Sequence, residues 1–187
     1  MDYPLNDTGR AQARLLAGRW LEEGASFDTV ISSPLARARE TAEILCAALG
    51  FPLEFDPLWM ERSAGDLQGL TLNEMRQMPR PEITNPYTDV GGSGEGDWEL
   101  FLRAGRALHE LLRRPTGNYL IVSHGGLLNQ VLHAAAGITP HGVSGGPRFR
   151  FENTAFARLI YLPAIHRWEF DALNDHAHWT EHLASLD

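Results

Sequence analysis

The run Leu120-Ile121-Val122-Ser123-His124-Gly125-Gly126 is apolar until it meets a serine, a histidine and two glycines, and Leu127 to Gln130 then resume at helical spacing. A second run has the same construction: Thr29-Val30-Ile31-Ser32-Ser33 leads into Pro34-Leu35-Ala36-Arg37. In each, a short buried strand hands over to a helix through polar residues. Ligands of open α/β sheets gather beyond the carboxyl ends of strands. Helix N-termini there offer free backbone N–H groups and positive potential, and glycine lets backbone approach a ligand closely. His124, Gly125 and Arg37 therefore make a candidate anion site, for which a phosphoryl group is the natural ligand. Arg37 taken alone reads as a solvated helix arginine. His124 does not, because packing by itself has no use for a histidine ending a buried strand.

A carboxylate completes the chemistry. Glu61 lies in Trp59-Met60-Glu61-Arg62-Ser63-Ala64-Gly65-Asp66-Leu67-Gln68-Gly69-Leu70, which has charge, glycine and no clean period. The default reading of Glu61 is a solvated loop residue. Near an anion site, burial would raise its pKa and suit it to act as a general acid.

Composition narrows the field. A net charge of −8 argues against nucleic acid. All 16 basic residues are arginine, so a P-loop lysine, a Schiff-base lysine and a Ser-Lys dyad are absent, and arginine is the only permanent cation for a site. The single cysteine, Cys46, excludes an internal disulfide and a cysteine zinc site; its helical context suits a packed core thiol. No apolar run approaches the roughly eighteen residues of a membrane span, and no basic-plus-apolar leader opens the chain. The expectation is an untargeted cytoplasmic protein with no membrane partner, no cofactor and no metal.

The elements that must hold these residues alternate. Asn6-Asp7-Thr8 caps a helix from Gly9 to about Glu23, Thr29–Ser33 is a strand, and Pro34 opens a helix to Leu49 that Gly50 closes. Pro52–Phe55 is an edge strand. Residues 71–97, rich in proline, glycine and polar groups, make a surface excursion or lid. A helix over Trp98–Arg114, a strand over Tyr119–Ser123, a helix from about Leu127 to Ala136 and closing strands over Phe149–Leu162 and Trp168–Phe170 follow. This predicts one α/β domain over residues 1–187, with a mostly parallel central sheet flanked by helices.

Together these stretches resemble the histidine phosphatase superfamily, in its phosphoglycerate mutase-like branch. Ser33-Pro34-Leu35-Ala36-Arg37-Ala38 with Thr41-Ala42 is similar to its S-x-L-x-R-A-x-x-T-A helix start. Glu61-Arg62, Gly65 and Leu67-Gln68-Gly69-Leu70 resemble E-R-x-x-G-x-L-Q-G-L, and Val122 to Gly126 resembles V-S-H-G-G. Pro4 to Ala13 is similar to P-L-T-x-x-G-x-x-Q-A, and Leu173 to His178 to L-N-D-x-x-H. The matches fall in family order and span almost the whole chain. The resemblance implies a three-layer sandwich and a phosphohistidine enzyme acting on small phosphate monoesters. In it Glu61 is the proton donor, Arg37 a phosphate clamp and His124 the second histidine, with Gly125 and Arg62 in the substrate-binding set and no metal.

One part of the pattern is missing. The family nucleophile sits in an Arg-His-Gly at the end of the strand preceding P-L-T-x-x-G, and no Arg-His-Gly occurs here. A start codon placed too late, a truncation, or a pseudophosphatase that binds phospho-ligands without turnover would each account for this. Without that strand the chain is expected to need dimerisation, strand replacement or rearrangement, so a homodimer is kept open. The segment from Leu70 to Gly92 is short and carries only Arg76 and Arg80, which favours a phosphatase over a phosphoglycerate mutase, whose long basic insertion holds a second phosphate.

Two rival sites fit less well. Gly142-Val143-Ser144-Gly145-Gly146 satisfies G-x-S-x-G, but a nucleophile elbow must join a strand to a helix and Pro140 and Pro147 flank it. Asp175-His176-Ala177-His178 with His182 could ligate a metal, yet Glu181 does not follow the first histidine as H-E-x-x-H requires. His109, His133, His141 and His166 read as structural or solvated, and Asn153, in a family-like N-T-A, has no assigned role.

Overall fold

The computed structural model describes residues 2–77, 85–140 and 146–179. Helix α1 (Asp7–Glu22) is capped by Asn6, whose side chain accepts the Gly9 N–H at 2.8 Å. Strand β1 (Thr29–Ser32) leads to α2 (Ala36–Leu49), which ends at Gly50 with φ 79°; a Cβ would strain that left-handed cap. Strand β2 (Leu53–Phe55), short helix α3 (Leu72–Gln77), helix α4 (Asp97–Leu112), strand β3 (Tyr119–Val122) and helix α5 (Gly125–Ala136) follow. The hairpin β4 (Phe156–Leu162) and β5 (Arg167–Asp175) closes the described chain.

The parallel sheet runs β2-β1-β3, with Val30 opposite both Leu53 and Leu120. Side chains alternate across a strand, and the two apolar clusters follow from that. Val30 and Val122 join Leu16, Trp20, Ala42 and Leu45 of α1 and α2 on one face. Ile31 and Ile121 join Leu100, Leu108, Leu127 and Val131 of α4 and α5 on the other. The result is the expected three-layer sandwich with a mostly parallel central sheet flanked by helices.

Helix α1 starts at Asp7, α4 spans Asp97–Leu112 and the last strand lengthens to Arg167–Asp175; three further differences from expectation bear on the site. Pro34 does not open α2: Leu35 is extended (φ −64°, ψ 139°) and its N–H is held by Ser33 Oγ at 3.2 Å, so the helix starts at Ala36. Helix α5 begins two residues early, at Gly125. Phe149–Ala155 is not strand. Asn129 Nδ2 donates to Phe149 O at 2.5 Å and His133 Nε2 bonds Pro147 O at 2.8 Å. Those carbonyls are thereby tied to α5 rather than to a sheet, and Thr154 at φ 57° breaks the extension. Of the excursion, residues 78–84 lie outside the described residues. Its later part, 90–95, packs on the loop after Glu61: Glu95 N–H donates to Ser63 O at 2.8 Å, and Ser93 Oγ to Asp66 Oδ1 at 2.7 Å.

The hairpin forms a second sheet. Among the described residues the outer edge of β3 pairs with no strand, and β4 and β5 pair only with each other. The hairpin is held by side chains instead, with the Phe156 ring 5.4 Å from Trp20 and Trp168 against the second cluster.

Candidate phosphoryl site

Strands β1 and β3 end side by side, so Ser33 and His124 meet: Ser33 Oγ and His124 Nε2 are 2.8 Å apart. Both are buried, Ser33 fully and His124 with 6% of its surface exposed. Burial pushes the His124 pKa down to about 4, and the nearby Arg37 guanidinium pushes the same way against the weaker pull of Glu61 and Asp2. The ring is therefore neutral at neutral pH. Arg37, half-buried in the first turn of α2, enters no ion pair among the described residues.

Glu61 comes from the other direction. Its Oε1 accepts the Arg62 N–H at 2.8 Å and its Oε2 the Gly126 N–H at 3.2 Å. A Cβ on Gly126 would overlap Glu61 Oε1, so glycine here permits the contact between the loop and the first turn of α5. A Cβ on Gly125 would meet nothing; that face of the helix end is open. Helix α5 has no side-chain cap, and of its first N–H groups, Gly126 N is spent on Glu61.

Sequence reasoning missed the group that fixes the Glu61 loop. Arg103 of α4 donates to Leu58 O at 2.9 Å, Met60 O at 2.7 Å and Glu61 O at 3.4 Å. Its other edge grips Glu95 at 2.7 and 2.6 Å. In the sequence Arg103 is one polar residue on an amphipathic helix, without a local signal. Ser123 Oγ adds a bond to Trp59 O at 2.7 Å. Asp2 was also missed: its carboxylate accepts the Ala36 N–H at 2.6 Å and caps α2 beside Arg37.

The remaining expectations divide. His124, Arg37, Glu61 and Gly125 converge at the strand ends, whereas the Arg62 guanidinium reaches Asp97 Oδ1 at 2.5 Å. Asp175 is gripped by Arg19 at 2.6 and 2.8 Å, which holds its carboxyl down at about pKa 2. His178 Nε2 bonds Thr154 Oγ1 at 2.9 Å, and His176 Nδ1 bonds Asn174 O at 2.7 Å. Asp175, His178 Nε2 and His176 Nδ1 of the rival metal site are thus engaged in structural bonds, while His178 Nδ1 is buried without a partner among the described residues; His182 lies outside the described residues, as do His141 and Ser144 with its neighbours through Gly145. Among the described residues no helix is long and apolar enough to cross a membrane. A cavity of about 510 Å³ over Ile31, Trp59 and Glu110 holds none of the converging side chains.

Fold and strand-end site together define a phosphoglycerate mutase-like three-layer α/β protein. The family model described as histidine phosphatase superfamily (branch 1) matches residues 1–176, and the chain belongs to that superfamily, whose members act on small phosphate esters. It is 31% identical over 186 residues to a protein of Yersinia enterocolitica named a probable phosphoglycerate mutase, covering 95% of this chain and 84% of that one. Among solved structures, YhfR of Bacillus stearothermophilus superposes with a TM-score of 0.80 at 25% identity, over 95% of this chain and 87% of the other. A mycobacterial glucosyl-3-phosphoglycerate phosphatase, solved with inorganic phosphate, has the same fold, with a TM-score of 0.77 at 22% identity over 96% and 91% of the two chains.

Proposed function

We propose that this chain carries the phosphoryl-binding half of a histidine phosphatase acting on small phosphate monoesters. The observation that carries the reading is the meeting of Arg37, a neutral His124 and Glu61 beyond the carboxyl ends of β1 and β3. Arg37 clamps the phosphoryl oxygens, His124 donates to one of them, and the open N-terminus of α5 adds backbone N–H groups. Glu61 stands across Gly126, placed to protonate the departing ester oxygen. Most of the rate in phosphoryl transfer comes from such positioning and charge stabilisation.

Turnover further requires a nucleophilic histidine, which forms and then surrenders a phosphohistidine to water. No Arg-His-Gly is present in these 187 residues. A general acid alone supplies about 10² to 10⁴-fold, while phosphate monoester hydrolysis demands up to about 10²¹-fold. The chain by itself is accordingly a binder of phosphoryl groups, and its active form is one in which a strand ending in Arg-His-Gly lies along the outer edge of β3. The name of the Yersinia relative favours mutase chemistry for that form; the short segment from Leu70 to Gly92 favours hydrolysis.

Titration calorimetry of the 187-residue chain with inorganic phosphate tests the site, and p-nitrophenyl phosphate tests turnover. Binding that Arg37→Ala and His124→Ala each weaken at least tenfold, without hydrolysis, is the expected result. Unchanged affinity in both variants would overturn the assignment.

A further inference from the structure

A second cavity, of about 370 Å³, opens beside the phosphoryl site and is lined by Gly125, Arg148, Phe149, Arg150 and Phe151. Gly125 follows His124 directly, and its open side, where a Cβ would meet nothing, is continuous with this space. The segment forming the opposite wall is built into the fold. Its carbonyls are held by Asn129 and His133, one turn apart on α5. The Phe149 ring stacks on Phe170 at 6.3 Å and meets the His133 ring edge-on at 5.1 Å. That anchoring sets two arginines at the rim. Arg150 pairs with Glu152 at 2.5 Å, whereas Arg148 enters no ion pair among the described residues.

We infer that this cavity receives the leaving group of the phosphate ester and selects ring-bearing esters that carry a second anionic group. The inference rests on the phosphoryl group binding at His124 and Arg37. From there the ester oxygen leads past Gly125 into a space lined by Phe149 and Phe151, against which an apolar ring packs. Arg148 and Arg150 stand at its rim for a carboxylate. Arginine over an aromatic ring or forked to a carboxylate serves both parts of such a ligand.

The test compares three probes by calorimetry on the 187-residue chain: inorganic phosphate, phenyl phosphate and 4-carboxyphenyl phosphate. The expected result is binding of the carboxylated ester about tenfold tighter than phenyl phosphate, a preference that Arg148→Gln with Arg150→Gln removes while phosphate affinity stays within twofold. Arg148→Gln alone, an exposed change that leaves the Arg150–Glu152 pair intact, is expected to remove most of the preference. Equal affinity of the wild type for both esters, or a preference that survives the double substitution, overturns the leaving-group site and leaves the phosphoryl site standing. No binding of any of the three overturns the phosphoryl site and this inference together.

Discussion

The Gly126 N–H donates to Glu61 Oε2 at 3.2 Å, and no side chain on residue 126 could coexist with that contact, because a Cβ would overlap Glu61 Oε1. The second glycine of His-Gly-Gly is thus explained by a carboxylate some sixty residues earlier. Gly126→Ala is expected to displace Glu61 while sparing the fold, since the colliding atom is the free end of a side chain. In an active form, with a strand ending in Arg-His-Gly supplied, turnover should fall by about 10²-fold or more with phosphate affinity unchanged. Wild-type turnover in this variant would mean that Glu61 is not the proton donor.

Arg103 gives a prediction about stability rather than chemistry. It satisfies three carbonyls of the Glu61 loop and pairs with Glu95, and both partners are mostly buried. Arg103→Ala leaves those acceptors and a carboxylate without a donor, which costs about 2–3 kcal/mol. A double-mutant cycle with Glu95→Ala by urea unfolding should return a coupling of about 0.5–3 kcal/mol. Additive effects would show that the pair holds nothing.

How much of this was legible in the sequence follows from the range of the interactions. His124 and Arg37 were found because strand-to-helix handovers are local patterns, and the layers because β1 alternates Val30 and Ile31 between two helical faces. Arg103, Asp2 and Ser33 as partners of the site were not, since each acts on residues 34 to 91 positions away. Phe149–Ala155 misread as strand for the same reason: its alternating Phe and Arg resemble an edge strand, and only the bonds to Asn129 and His133 show otherwise. The seven-residue slip of a boundary there concealed a cavity wall.

Acid should weaken the fold in a defined window. His124 and His178 both titrate at about pH 4 when folded because they are buried, against about 6.5 in an unfolded chain. Between those values the unfolded state binds more protons, so stability rises with pH. The contribution is complete above about pH 6.5 and is lost as pH falls toward 4. Asp175, held at about pH 2 by Arg19, adds a separate loss below about pH 4. Urea midpoints measured from pH 7.5 to 4.5 should fall steeply in the wild type and less steeply in His124→Gln and His178→Gln. Equal slopes in all three would refute the buried neutral histidines.

The same neutral ring predicts proton uptake on binding. A phosphate dianion beside His124 opposes the burial effect and raises its pKa, so near pH 6 the complex should take up a proton that the free chain lacks. The observed heat of phosphate binding will then vary with the ionisation enthalpy of the buffer, and His124→Gln should abolish that dependence. Asp2→Ala should strengthen phosphate binding several-fold, because it frees the first N–H of α2 and removes a negative charge beside Arg37. Buffer-independent heat with intact affinity would place the phosphate away from the histidine.

The unpaired edge of β3 makes the final prediction. Tyr119, Leu120 and Ile121 are apolar or aromatic yet only half-buried, whereas Val30 and Ile31 of the neighbouring strand are 1% exposed. A short apolar strand whose outer N–H and C=O groups pair with no strand among the described residues is a template for another strand. The 187-residue chain is therefore expected to self-associate as concentration rises, in light scattering after size exclusion. Ile121→Lys puts a charge on that strand and should reduce the association, although it will also cost stability at the second apolar cluster. If the wild type remains monomeric at high concentration and the outward-facing amides of β3 are protected from exchange, the edge is already covered and this account of it fails.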